Sequence, residues 1–298
     1  MPDSKAFDTI TVSEVTYLEK DGQTARALIY RPKGDGPFPA LVCVHGGAWV
    51  SGDRFATAGF AELVAEKGIV VMAIDTRLAP ACPYPASVAD VNYATRWLKY
   101  HSGRYKVDPD RVGGLGISSG GQLLLLSAMR YNDPRYMIHE LQASGKELDA
   151  RLAFVITCSG VLDPLARYRM AEESSNMAIV LCHRAYFGDK KTMEESSPLL
   201  ILKRGEKTAL PDALFFQGEA DPRLPADTAQ NMANAWKSAG GNARAIVYQG
   251  AGHSIGSWHK RDFSDMLLRI SSLCHSPANK VSSNPVIVHI SRKSPTPP

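Results

Sequence analysis

Apolar, β-branched runs alternate along this chain with longer stretches of helical period, the signature of an α/β fold with a largely parallel sheet. Residues 9–17 (TITVSEVTY) and 25–31 (ARALIYR) read as opening antiparallel strands, and Pro32 to Pro39 as a turn-rich connection. Residues 40–45 (ALVCVH) and 69–75 (IVVMAID) lack polar alternation, as strands buried on both faces do. Between them, 56–67 spaces Phe60, Leu63 and Val64 at helical intervals and ends at Gly68, a C-cap residue. The stretch 85–100 places Val88, Val91, Ala94, Trp97 and Leu98 on one helical stripe. Strand 111–117, helix 119–130, strands 152–159 and 213–218, helix 225–238, strand 243–249 and helix 260–273 complete the pattern, for eight strands in all.

Two segments break the alternation. Residues 163–210 contain no convincing strand but do have helix-like stretches with Met170, Met177, Ile179, Tyr186 and Phe187. An excursion of that length between strands predicts a small cap insertion, with those apolar residues read as its core rather than as a specificity wall. The tail, 276–298, is rich in Ser, Pro and Lys, the composition of a flexible segment, although VIVHI within it could add an edge strand. The domain reading is therefore one domain over 1–275 that carries the cap at 163–210, followed by the tail.

Composition narrows the class. With 298 residues, 44% hydrophobic and 21% charged, the chain can bury about 70–75% of its unfolded surface, so disorder and a disulfide miniprotein are excluded. A net charge of +4 spread over the whole length supplies no basic stripe for nucleic acid and fits a site for uncharged substrates. No run approaches the apolar length of a membrane span. The opening MPDSKAFDTITVSEV has no apolar core of a secretory signal, so a cytoplasmic location is expected. Cys43, Cys82, Cys158, Cys182 and Cys274 are odd in number and contain no CxxC pair, which reads as buried free thiols in a reducing compartment.

The sharpest chemistry lies in Gly116-Ile117-Ser118-Ser119-Gly120-Gly121, between a predicted strand and a predicted helix. In G-x-S-x-G, small flanking residues permit a tight strand-to-helix turn that holds the middle serine in strained geometry at a helix N-terminus. His45-Gly46-Gly47-Ala48-Trp49 follows strand 40–45 directly. Its unobstructed backbone N–H groups, from Gly46, Gly47 and Ala48, can form an oxyanion hole with that of Ser119, each donor contributing about 3–4 kcal/mol. His45 itself reads as a pin for this loop rather than as a base.

A serine nucleophile needs a base, and the base needs an orienting carboxylate. Asp221 in GEADP and His253 in GAGHS both follow predicted strands, in the chain order serine, acid, histidine. Asp163 also follows a strand and is the one rival for the acid. Asp75 and Arg77 read as a structural pair or loop anchor. Trp49 and Trp258 flank the site and read either as walls of an acyl or leaving-group pocket or as ordinary core.

HGGAW, Arg77-Leu78-Ala79-Pro80, GISSGG, GEADP and GAGHS together resemble the motif series of hormone-sensitive-lipase-like carboxylesterases of the α/β-hydrolase fold. The small cap is similar to that of feruloyl and acetyl-xylan esterases, and HGGAW to the HGGxW loop of kynurenine formamidases. The resemblance implies an eight-stranded sheet flanked by helices and acyl transfer to water by Ser118, His253 and Asp221. It departs from the family at Ala48, usually glycine, at Ile117, usually acidic, and in lacking long N-terminal cap helices. The expected partners are a small-molecule ester and water, with no cofactor and no metal, and with a homodimer left open. An arylformamidase and a non-catalytic binding protein of the same fold are the alternatives.

Overall fold

The computed structural model describes residues 9–20, 22–141 and 148–276. The β-branched runs pair into one sheet. Strand β1 (Ile10–Lys20) is antiparallel to β2 (Gln23–Pro32), which is antiparallel to β4 (Val70–Ile74). Strand β3 (Phe38–Val44) then lies parallel between β4 and β5 (Val107–Ile117). The parallel series continues through β6 (Phe154–Cys158), β7 (Asp212–Gly218) and β8 (Ala243–Tyr248). The order is β1-β2-β4-β3-β5-β6-β7-β8.

All eight expected strands form, and β3 and β4 are buried on both faces as their unbroken apolar runs predict. Ala40, Val42 and Val44 enter one core cluster while Leu41 and Cys43 enter the other, because successive side chains point to opposite faces. Helices α2 (Ala86–Tyr100), α4 (Ser119–Met129) and α9 (Thr228–Ser238) cover the first face. Helices α1 (Ala58–Ala65) and α10 (Lys260–His275) cover the second. The short α3 (Ser102–Tyr105) leads into β5, which starts four residues earlier than its apolar run suggests. Phe38 pairs with Val107 ahead of a register shift, so the polar residues before Val112 still belong to the strand.

Between β6 and β7 the chain forms α5 (Pro164–Glu173), α6 (Met177–Phe187), α7 (Lys190–Glu195) and α8 (Pro198–Lys203). Tyr186 and Phe187 are buried there, whereas Met177 is exposed. Asp163 caps α5, its Oδ1 accepting from the Ala166 amide at 3.1 Å. The flexible-tail reading of 276–298 falls outside the described residues except for Ser276.

Asp75 and Arg77 do not pair with each other. Asp75 binds Arg54, through the backbone amide at 2.8 Å and Nη1 at 2.9 Å. The Arg77 amide and Nε instead donate to Asp90, at 2.8 and 2.9 Å. The Asp90 carboxylate is fully buried and Arg77 keeps some solvent contact. Asp90→Ala should therefore lower stability by about 3 kcal/mol, the low end for breaking a buried pair, measured by urea denaturation.

Candidate active site

Ser118 sits between β5 and α4 with φ 52° and ψ −119°, a backbone conformation that costs a non-glycine residue about 1–3 kcal/mol. The strain is held by neighbours. The Ser118 amide donates to the Cys158 carbonyl at 3.0 Å, and its own carbonyl accepts from Gly121 and Val161 at 3.0 and 2.9 Å. A Cβ on Gly116 would meet the Gly120 carbonyl at 2.5 Å, and one on Gly120 would strike the carbonyls of Val44 and His45. The G-x-S-x-G spacing is thus a packing requirement: two backbones approach too closely for any side chain.

The turn aims the hydroxyl at His253. Ser118 Oγ donates to His253 Nε2 at 3.0 Å, and His253 Nδ1–H donates to Asp221 Oδ2 at 2.8 Å. The tautomer follows from the carboxylate, which can only accept. Asp221 Oδ1 accepts the Arg223 amide at 2.8 Å, so both carboxylate oxygens are engaged. The acid and histidine loops are laced together: Ala220 donates to the Ala251 carbonyl at 2.9 Å and the Gly250 amide to Glu219 Oε2 at 3.0 Å. The three side chains that the sequence places after three strands therefore converge. Asp163, engaged as a helix cap, does not join them.

The HGGAW loop approaches the same point. Gly46 lies so close to Ser118 that a Cβ there would stand 3.1 Å from that of the serine. Gly47 has φ 123°, and its carbonyl closes a turn by accepting from Val50 and Ser51, both at 3.1 Å. Ala48, the departure from glycine, takes φ 51° and Trp49 φ 65°. Among the described residues the Gly46, Gly47 and Ala48 amides have no protein acceptor, and the Ser119 amide opens α4. His45 pins the loop as expected: Nδ1–H donates to the Gly46 carbonyl at 2.6 Å and Nε2 accepts from Thr76 Oγ1 at 3.3 Å. Burial pushes its imidazole below the usual range, towards the neutral form.

Ser118 and His253 open into a cleft of about 610 Å³. Its apolar walls are Phe60 and Leu63 of α1, Ile117, Ile255 and Phe263 of α10. Neither tryptophan is among the lining residues. Trp49 is buried, stacks on Tyr186 at 5.3 Å and donates to Gln122 Oε1 at 2.9 Å. Trp258 packs on Tyr248 at 5.1 Å and donates to the Gly252 carbonyl at 2.8 Å, bracing the histidine loop. The cleft walls escape a reading by periodicity because Phe60 and Leu63 share one apolar helical stripe. The exposure of Leu63, at 38%, separates it from core only once the fold is known.

The strand order, the serine turn at the carboxyl end of β5 and the convergence of the loops after β7 and β8 define an α/β hydrolase. The chain belongs to the BD-FAE family, whose profile matches residues 28–236. It is 27% identical over 230 residues to esterase LipC of Mycobacterium tuberculosis, across 74% of this chain and 53% of that protein. It is 33% identical over 129 residues to ethyl acetate hydrolase of Pseudomonas putida, across 42% of this chain and 40% of that protein. The chain thus spans about half or less of the length of these curated relatives. An esterase structure from Pyrobaculum calidifontis superposes with TM-score 0.72 at 23% identity, over 91% of this chain and 88% of that one, which shows the shared fold. The family resemblance drawn from the motifs is borne out.

His183, on α6 beside Trp49, supplies a pH dependence. Burial, and then the nearby Arg167 charge, push its imidazole down to about 3. The folded chain keeps it neutral while the unfolded chain protonates below about 6.5, so stability is complete above that pH and declines as pH falls towards 3. Each pH unit in that window should cost up to about 1.4 kcal/mol. His183→Gln should flatten the fall of melting temperature between about pH 6.5 and pH 5 in scanning calorimetry.

Proposed function

We propose that this protein is a serine carboxylesterase that cleaves short-chain or small aromatic carboxylic esters. The observation that carries the reading is the relay Ser118–His253–Asp221, at 3.0 and 2.8 Å, opening into the apolar cleft. Ser118 Oγ attacks the ester carbonyl while His253 Nε2 takes its proton, and Asp221 stabilises the imidazolium. The Gly47, Ala48 and Ser119 amides, with Gly46 alongside, receive the oxyanion. The tetrahedral intermediate collapses as His253 protonates the leaving alkoxide, leaving an acyl group on Ser118. His253 then removes a proton from water, which attacks the acyl carbon and releases the acid.

We read residues 1–275 as one catalytic domain with α5–α8 as a small cap. The five free cysteines support a reducing, cytoplasmic setting. No helix among the described residues is long and apolar enough to cross a membrane. The formamidase alternative draws on HGGAW, and the burial of Trp49 away from the cleft lining leaves it without a contact to favour it.

Ser118→Ala should lower kcat on p-nitrophenyl acetate by about 10⁴-fold or more and abolish labelling by a fluorophosphonate probe. Asp221→Asn should cost about 10⁴-fold with labelling slowed in parallel, because the histidine tautomer is lost. Near-wild-type turnover by Ser118→Ala would refute the assignment. A kcat/KM for N-formylkynurenine well above that for p-nitrophenyl butyrate would move the enzyme to the formamidases.

A further inference from the structure

Two ionisable residues, His253 and Arg223, are among those lining the Ser118 cleft, and none of the lining residues is acidic. Arg223 is exposed, and among the described residues its guanidinium joins no ion pair. Its backbone is held on both sides: the amide donates to Asp221 Oδ1 at 2.8 Å and the carbonyl accepts from Arg167 Nε at 3.1 Å. Arg167, on α5, is only 2% exposed. Its guanidinium lies 5.9 Å from the Trp49 ring centre, Nη1 has no partner, and no carboxylate pairs with it among the described residues. Burial, aided by the Arg223 charge and opposed by Cys182 and Asp221, pushes Arg167 down to about 10.

Arg96 is buried among the described residues without a carboxylate, donating to Asn92 Oδ1 and the His139 carbonyl, but several other arginines do pair with carboxylates. Arg54 pairs with Asp75, Arg77 with Asp90, and Arg130 with Glu195 and Glu206. At the cleft, the backbone carbonyl of Arg223 accepts from the Arg167 guanidinium, and neither arginine has such a carboxylate partner among the described residues. Apolar walls concentrate the field of a charge at a cleft, and a guanidinium fork fits a carboxylate with two parallel hydrogen bonds.

We propose that the ester cleaved here carries a carboxylate of its own, which the Arg223 guanidinium binds in the cleft while Arg167 fixes the Arg223 backbone from behind. The inference rests on Ser118 being the esterase nucleophile, and it replaces the uncharged substrate that the near-neutral net charge suggests. Net charge averages over the surface, whereas substrate choice follows the local field of the cleft.

The carboxylate can sit on the acyl or the alcohol side, and paired substrates separate the two. Monoethyl glutarate against ethyl pentanoate tests the acyl side, and 4-acetoxybenzoate against 4-acetoxybenzamide tests the alcohol side. In one pair the anionic ester should show a kcat/KM about tenfold or more above its neutral partner. Arg223→Gln should cut that ratio about tenfold, while fluorophosphonate labelling reports on Ser118 independently. Raising salt from about 0.05 to about 0.5 M should also shrink the ratio, because Arg223 is exposed. Ratios near one in both pairs, or a ratio unchanged by Arg223→Gln, overturn the proposal while leaving the esterase intact. Failure of all four esters together with absent labelling of Ser118 overturns the esterase reading and this proposal with it.

Discussion

The approach of α4 to the end of β3 is the constraint on which the site depends. Gly120 lies against the carbonyls of Val44 and His45 with no room for a Cβ, and Gly116 lies against Gly120 in the same way. That contact forces the chain to turn within one residue, and Ser118 accepts the positive φ that results. It also sets the start of α4 beside the HGGAW loop, so the amide that opens the helix and the loop amides face one place. The serine hydroxyl and the candidate anion-binding amides are therefore positioned by a single close packing of main chain on main chain. A larger residue at Gly120 would disturb both together.

The helices between β6 and β7 act on this site from behind. Trp49 reaches Gln122 of α4, and Gln122 in turn donates to the Ser196 carbonyl at 3.2 Å, so the HGGAW loop is tied to the end of α7. Arg167 of α5 ties the acid loop through the Arg223 carbonyl. The cleft walls come from the opposite side of the molecule, from α1, α10 and the turn at Ile255. Bracing and the cleft walls are thus divided between different helices, and the helices between β6 and β7 make bracing contacts with the candidate site. Its buried His183 stays neutral inside the aromatic packing around Trp49, which couples this brace to pH.

The strands were legible because burial on both faces leaves an unbroken apolar run, and such runs have few other uses in a chain of ordinary composition. The candidate triad was legible because each member follows a strand within a small-residue turn, and their order narrows the alternatives. Trp49 and Trp258 kept two readings, since an aromatic residue near a site in sequence can face the cleft or the core at equal spacing. Asp75 and Arg77, two positions apart, gave no sign that each would bind a residue from another element. Phe60 and Leu63 were visible only as a helical stripe, because periodicity reports which residues share a face and not what that face meets.

By itself the sequence pointed to the parallel sheet and the serine turn, and singled out Ser118, Asp221 and His253 as candidates. These depend on patterns that are local or on an order that the chain preserves. Only the tertiary structure decided that the cleft is walled by α1 and α10, that both tryptophans are braces, and that Arg223 faces Ser118's cleft with Arg167 behind it. Those are relations between elements distant in the chain. They are set by which surfaces pack together, and no window of residues contains that information.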